Sequence, residues 1–131
     1  MASNVVHLVS ADVEFRNSLS KLMEANGMGL TVHPLVRDWL DAPEPVDGCC
    51  VILDVELGDL DCPERLKRFA ALCASPHVLV TARRGDVPMA VLAMKHGAAE
   101  VLQKSLRMDE LLERVNLLSL HRNASDSKTA H

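Results

Sequence analysis

Aromatic residues are scarce in this chain: its 131 residues include one tryptophan, two phenylalanines and no tyrosine. Positive charge is also limited, with 14 Lys and Arg against 18 Asp and Glu and a formal net charge of −4. Domains that bind nucleic acids concentrate basic side chains and stacking rings, so this composition argues against direct nucleic-acid contact. The chain also lacks any apolar run of the length that a membrane-spanning helix requires, so we expect no membrane partner.

Signals for metal binding and export are missing as well. The four cysteines, Cys49, Cys50, Cys62 and Cys73, form no C-x-x-C pair and have no histidine at zinc-finger spacing. This pattern predicts free thiols in a reducing compartment. The first ten residues, MASNVVHLVS, lack the basic and long apolar segments of a signal peptide, so we expect a cytoplasmic location.

Short apolar runs alternate with helical patterns along the chain. The runs predict strands over residues 5–9, 30–33, 49–54, 78–81 and 101–103. The helical patterns predict a first helix ending at Gly27, a short one over 36–40, a third capped by Asp61 and Glu64, a fourth over 88–96, and a fifth from Asp109 to about His121. This alternation predicts an α/β fold, a (βα)5 doubly wound parallel sheet in one domain over residues 1–121. Residues 122–131 are polar and aperiodic, which predicts a tail or the start of a linker.

The carboxyl ends of the predicted strands bring several candidate site residues together. They are Ser10, Ala11 and Asp12 after the first strand, Asp54 at the end of the third, Thr81 at the end of the fourth and Lys104 after the fifth. Because ligands of open α/β sheets bind outside the carboxyl ends of the strands, we expect the chemistry of the domain to lie there.

Three segments, HLVSADVEFRNSL, VILDVELGDLD and VLVTARRGDVPMAVLAMKHGAAEVLQKS, carry a family resemblance. In their order and spacing, over about residues 5–120, the chain resembles the CheY-like receiver domain of two-component response regulators, and most closely the FixJ-type subfamily. The resemblance implies a flavodoxin-like sheet in the order 2-1-3-4-5 and a phosphoryl group accepted from a kinase histidine. It implies Asp54 as the phospho-acceptor, Thr81 as the hydroxyl that binds the phosphoryl group and Lys104 as the paired lysine. Ala82 and Arg83 complete the implied phosphate pocket.

The first strand end departs from the family pattern. Receivers carry two adjacent acids there that hold a magnesium ion, and this chain has Ser10 and Ala11 instead. Asp12 follows one residue late, where we expect it to cap the first helix. Magnesium prefers near-octahedral oxygen coordination, so we expect no cofactor unless Asp12 or Glu56 replaces the missing ligands.

Two further departures lie on and after the fifth strand. Val101 stands where the family has a Phe or Tyr that reports the state of the threonine, and it is too short and stiff for that role. Ser105 replaces a proline that follows a cis peptide bond in the family, so we expect a trans bond after Lys104.

The fourth and fifth helices are implied to form the output face. With Ala90, Ala93, Met94 and Gly97 toward the core, helix four directs Val91, Leu92 and Lys95 outward. On helix five, Leu117 and Leu120 lie opposite the stripe that faces the sheet. We therefore expect a homodimer through helix four, strand five and helix five, although isolated exposed aliphatic side chains and a frayed helix end are the simpler alternatives.

These features favour an atypical receiver that acts through regulated protein–protein contact, with phosphorylation of Asp54 weak or absent. The alternative is a conventional magnesium-dependent switch in which Asp12 or Glu56 supplies the missing ligand. A small enzyme with a cysteine nucleophile is disfavoured, because no Cys/His pairing supports it, so we expect no enzymatic activity. The resemblance further implies a sensor histidine kinase as partner and a DNA-binding effector domain beyond this chain.

Overall fold

The computed structural model describes residues 5–43, 50–98, 100–104 and 107–129, with side chains described as far as residue 118. The strands are β1 (Val5–Val9), β2 (Gly29–His33), β3 (Cys50–Asp54), β4 (Val78–Ala82) and β5 (Val101–Gln103). The α-helices are α1 (Val13–Ala25), α2 (Val36–Asp41), α3 (Pro63–Cys73), α4 (Val87–Lys95) and α5 (Met108–Thr129), and a 3-10 turn spans Leu57–Leu60. Each predicted strand is present within one residue of its predicted bounds, and Cys49 lies outside the described residues.

The five strands form one parallel sheet in the order β2-β1-β3-β4-β5, as predicted. Parallel pairing brings the carboxyl ends of neighbouring strands together, and the register pairs Asp54 directly with Thr81. β3 and β4 are buried along their whole length, which matches their continuous apolar sequence.

Two apolar layers cover the sheet. Helices α2, α3 and α4 pack on one face around Phe69, Trp39 and Met89. On the other face, Phe15 and Leu19 of α1 meet Leu111 and Val115 of α5. The order of the strands and the helix on each face together place the first residues of α1 beside the ends of β1, β3 and β5.

The N-terminal caps of α1 and α3 can be compared with the caps predicted from the sequence. The Asp12 carboxylate accepts a hydrogen bond from the Phe15 amide at 3.2 Å, which confirms Asp12 as the cap of α1. The predicted cap of α3 is wrong, because Cys62 is the residue at the cap position and Asp61 lies one residue too early to reach the first free amides. Asp61 instead accepts a hydrogen bond from Arg65 at 3.0 Å.

Helix α4 is rotated relative to its predicted orientation. Met89 and Ala93 are fully buried, whereas Met94, predicted to face the core, is 67% exposed. Leu92, predicted to face outward, is half-buried and packs against the core. The reason is helical geometry: five residues separate Met89 from Met94, which places them on different sides of the helix, so burial of Met89 exposes Met94.

Helix α5 is longer than predicted. Its backbone stays helical to Thr129, so the predicted end near His121 is wrong. No glycine or proline interrupts residues 108–129, and these residue types are the strongest helix breakers. The length of α5 does not define where the domain ends, so the domain boundary at residue 121 stays a prediction. Among the described residues, no helix combines the length and the apolar character needed to cross a membrane.

Candidate functional site

Asp54 is the centre of a buried polar cluster at the carboxyl edge of the sheet. It ends β3, and only 8% of its surface is exposed. Two neighbouring residues are fully buried: Ser10, which follows β1, and Thr81, which lies in β4. Lys104, directly after β5, extends toward the same point, so the structure brings together the strand-end residues predicted from the sequence.

Three donors satisfy the Asp54 carboxylate. Its Oδ2 atom accepts hydrogen bonds from Ser10 Oγ at 2.6 Å and from Lys104 Nζ at 3.1 Å. Its Oδ1 atom accepts a hydrogen bond from Thr81 Oγ1 at 3.0 Å. A carboxylate offers about four lone-pair sites, so the described residues occupy three of them, including both on Oδ2. Burial of the charge is therefore offset by an ammonium group and two hydroxyl groups.

Asp12 links α1 to the same cluster. Its Oδ1 atom caps the helix, while its Oδ2 atom accepts a hydrogen bond from Lys104 Nζ at 2.7 Å. Its backbone amide donates to Ser10 Oγ at 3.1 Å. The hydrogen bond from Lys104, opposed by partial burial and assisted by the Phe15 amide, lowers the pKa of Asp12 below its ordinary value of 3.8.

Lys104 is shared between the two carboxylates. Its side chain is 16% exposed, and its Nζ atom also lies 5.5 Å from the centre of the Phe15 ring. Burial opposes the charge of the ammonium group, but the hydrogen bond to Asp12 and the negative charge of Asp54 outweigh it and raise the pKa of Lys104 above 10.5. The lysine is therefore a protonated cation at neutral pH.

A cavity of about 360 Å³ opens beside the cluster. Its lining comprises Ala11, Asp12, Val36, Asp54, Glu56, Asp59, Arg83 and Lys104. On the exposed outer wall, Glu56 forms an ion pair with Arg83. Asp59 accepts a hydrogen bond from the Glu56 amide at 2.9 Å and pairs with Arg37 at 3.4 Å.

Sequence reasoning missed Asp59, which lines this wall, and Arg37, which pairs with Asp59. The three-residue spacing of Glu56 and Asp59 is that of a capping box, which is the signal that could have indicated the 3-10 turn holding them. Of the other predicted pocket residues, Ala82 is buried and its carbonyl accepts a hydrogen bond from the Lys104 amide at 2.8 Å. This bond fixes the backbone from which the lysine extends.

The model of the response regulator receiver domain family matches residues 6–116, which is most of the chain and includes every residue of the cluster around Asp54. The chain belongs to this family. Its five-stranded sheet order and the strand-end positions of Asp54, Thr81 and Lys104 agree with that membership. The receiver domain is the signal-accepting module of two-component systems.

Named relatives narrow the family to the FixJ type. The transcriptional regulatory protein FixJ of Azorhizobium caulinodans is 40% identical over 99 residues, which cover 76% of this chain and 47% of that protein. Nodulation protein W of Bradyrhizobium diazoefficiens is 32% identical over 111 residues, covering 85% of this chain and 49% of that protein. The receiver therefore spans about half the length of these relatives.

Solved structures agree with this assignment. Full-length FixJ from B. japonicum superposes with a TM-score of 0.74 and 31% identity, covering 99% of this chain and 64% of that one. The structure of FixJ-N superposes with a TM-score of 0.71 and 28% identity, covering 92% of this chain and 97% of that one. Both the fold and the subfamily predicted from the sequence are confirmed.

The receiver family implies a magnesium ion, and the donors at this pocket do not fit one. Ala11 has no side-chain donor atom, and the Ser10 hydroxyl is engaged with Asp54 and the Asp12 amide. The proposed substitutes are engaged too, Asp12 by Lys104 and the α1 amide, and Glu56 by Arg83. Within the described residues, no group of three or more His, Cys, Asp or Glu side chains is arranged to hold a metal ion. Magnesium requires near-octahedral oxygen coordination, which this set does not supply.

The residues predicted for the output face differ in their exposure. As predicted, the exposed residues include Val91 and Lys95 of α4 and Leu117 of α5. Met94 is also exposed, although it was predicted to face the core, and Leu92 is half-buried, although it was predicted to face outward. Leu120 and Ser105 lie outside the described side chains and residues, so the predictions made for them stand as predictions. Val101, at the switch position, is half-buried and packs against the core beside α4.

Proposed function

We propose that this receiver domain acts through regulated protein–protein contact or dimerisation, as an interaction domain rather than an enzyme, and that phosphorylation of Asp54 is weak or absent. The observation that carries the proposal is the satisfied state of the Asp54 carboxylate. Ser10, Thr81 and Lys104 donate to it, and the positions of the metal-binding acids hold a serine and an alanine.

Phosphoryl transfer depends on positioning and on neutralising charge over the transferred group. Lys104 is a partly buried cation beside Asp54, and it also neutralises Asp12. Arg83 lies on the outer wall and pairs with Glu56. With both cations engaged by other carboxylates, little positive charge remains for an incoming phosphoryl group, which supports slow or absent transfer.

The contact surface we propose is formed by α4 and α5. Val87, Val91 and Met94 give α4 a row of aliphatic and thioether groups that are more than half exposed, and Leu117 of α5 is 49% exposed. Several large apolar side chains exposed together on α4, with Leu117 on α5, form a candidate interface, unlike isolated exposed ones. We propose that a second copy of the domain covers this surface.

Two partners belong to the same proposal. The match covers 47% of the Azorhizobium caulinodans FixJ protein, whose name describes a transcriptional regulatory protein. We propose that a sensor histidine kinase signals to the domain and that a DNA-binding effector domain follows it in the natural protein. We propose that α5, which is helical to Thr129, joins the receiver to such a domain.

The phosphorylation part is tested by intact mass spectrometry after incubation with acetyl phosphate, with and without magnesium. The proposal expects no stoichiometric adduct on the wild type in either condition. Asp54→Asn is the matched control, because it keeps the size of the side chain and removes the nucleophile. A magnesium-dependent adduct that disappears in Asp54→Asn would instead establish the conventional switch, with Asp12 or Glu56 recruited to the metal.

The contact part is tested by size-exclusion chromatography with light scattering on unphosphorylated protein. The proposal expects a dimer that Val91→Asp converts to a monomer. Val13→Asp is the matched control, because Val13 is equally exposed but lies at the start of α1, away from α4. A monomeric wild type, or a dimer unaffected by Val91→Asp, would contradict the proposed surface.

A further inference from the structure

The ammonium group of Lys104 lies between two carboxylates, 2.7 Å from Asp12 Oδ2 and 3.1 Å from Asp54 Oδ2. We propose that Lys104, positioned by Asp12, is a built-in cation that occupies the place of a divalent metal ion beside Asp54 and thereby excludes such an ion from the pocket. The inference rests on the proposed function for the identity of the pocket, but it concerns metal binding and not phosphorylation or dimerisation.

Protein donors already occupy Asp54 Oδ2. Ser10 Oγ and Lys104 Nζ donate to this oxygen, and a carboxylate oxygen has about two lone-pair sites. A metal ion that bound Oδ2 directly would have to displace one of these donors. Ser10 is fully buried, so its hydroxyl has no water-filled space in which to find another partner.

Electrostatic repulsion from Lys104 also opposes a metal ion at Asp54. A divalent ion in contact with Asp54 Oδ2 would lie within a few ångströms of the Lys104 ammonium, and like charges at that distance repel strongly in a partly buried site. Lys104 is 16% exposed and Asp54 7% exposed at their side chains, so water screens the repulsion poorly. Metal binding therefore requires that the lysine leave.

Several contacts hold Lys104 in this position. Its backbone amide donates to the Ala82 carbonyl, and its Nζ atom donates to Asp12, whose other carboxylate oxygen is fixed by the cap of α1. The Phe15 ring lies 5.5 Å from the ammonium. Lys104 is thus fixed at both its backbone and its charged end, and Asp12 is the positioning residue.

The test is a titration with Mn²⁺, followed by electron paramagnetic resonance of the free ion, with Mg²⁺ as a competitor. We expect wild-type protein to show no saturable site at millimolar Mn²⁺. We expect Lys104→Ala to bind Mn²⁺ at least about tenfold more tightly than wild type, because Asp12 and Asp54 are left without a cation. Lys95→Ala is the matched control, since this exposed lysine of α4 does not line the pocket, and it should behave as wild type.

Lys104→Gln serves as a second variant in case the alanine variant does not fold, which circular dichroism would reveal. A saturable wild-type site that Asp54→Asn removes would overturn the inference, and so would folded Lys104 variants that gain no affinity. Phosphorylation of the wild type without metal binding would contradict the proposed function and leave this inference intact.

The role of Asp12 has its own readout. Asn caps helices well, so Asp12→Asn keeps the cap of α1 while it removes the charged partner of Lys104. We expect the pKa of Lys104, followed by carbon-13 NMR of the Cε atom, to fall toward its ordinary value. An unchanged Lys104 pKa in this variant would show that Asp12 does not position the lysine.

Discussion

Replacing Ser10 by alanine removes a single oxygen atom from the centre of the pocket. Ser10 is fully buried, and its Oγ atom donates to Asp54 Oδ2 at 2.6 Å, a distance typical of a hydrogen bond to a charged oxygen. The same oxygen accepts the Asp12 amide at 3.1 Å. Ser10→Ala therefore weakens the solvation of a buried carboxylate and leaves one amide without its side-chain partner.

The magnitude follows from the type of bond. A hydrogen bond to a charged group contributes about 1.5–3 kcal/mol, and Asp54 keeps its bonds from Thr81 and Lys104 after the substitution. We expect Ser10→Ala to lower the free energy of unfolding by about 2 kcal/mol at pH 7. With a urea dependence of about 1–3 kcal/mol per molar, the midpoint should fall by roughly 1 M.

The assay is urea unfolding monitored by the fluorescence of Trp39, the single tryptophan, which is buried in the core. Ser18→Ala is the control, because Ser18 is an exposed serine on α1, and we expect a change of less than about 0.5 kcal/mol. A double-mutant cycle with Asp54→Asn isolates the contact, with an expected coupling of about 1–2 kcal/mol. If Ser10→Ala is neutral, or the coupling is near zero, the hydroxyl does not stabilise Asp54 and the reasoning fails.

Three other predictions concern stability. The pKa of Asp12 is lowered in the folded protein, so its charge stabilises the fold at pH values above its ordinary pKa of 3.8. This stabilisation is lost as the pH falls through the lower pKa of the folded state. The difference in the free energy of unfolding between wild type and Asp12→Asn, measured by urea unfolding, should therefore shrink over that acidic range and not toward pH 9. Phe69 is fully buried between α3 and the sheet, and Phe69→Ala should cost about 3–5 kcal/mol, with a much smaller loss indicating that the core collapses around the cavity. Gly27 has φ of +68° and open space where a Cβ atom would lie, so Gly27→Ala should cost about 1–2 kcal/mol from backbone strain alone. Gly58 has no positive φ, so Gly58→Ala should be close to neutral when both variants are measured by urea unfolding.

Local sequence patterns were sufficient for the elements of this fold. Strands such as β3 and β4 are continuous apolar runs, and the buried centre of a parallel sheet requires that pattern. Asp12 could be identified as a helix cap because capping acts over three residues of the chain. The order of the strands came from the family resemblance, since alternation alone predicts a parallel sheet but not its order.

Helix α4 shows where a local pattern is ambiguous. Both Met89 and Met94 are large and apolar, and small alanines lie on several sides of the helix, so more than one face could meet the core. The choice depends on how the helix packs against β4, β5 and α3, and those contacts bury Met89. The C-terminal end of α5 was also ambiguous. Its last residues are polar and show no apolar stripe, but they include no helix breaker, so the helix continues through them.

The apolar runs alone locate Asp54, Thr81 and Lys104 at the strand ends, and the family resemblance adds that the metal-binding acids are missing there. How these groups pair depends on the three-dimensional fold. Ser10 meets Asp54 across 44 residues, and Lys104 meets Asp12 across 92. Such contacts depend on which strands lie side by side in the sheet, and strands that are neighbours in the sheet can be far apart in the chain. The position of each group in the chain is a local property, whereas the shared lysine arises only because parallel strands end at one edge of the sheet.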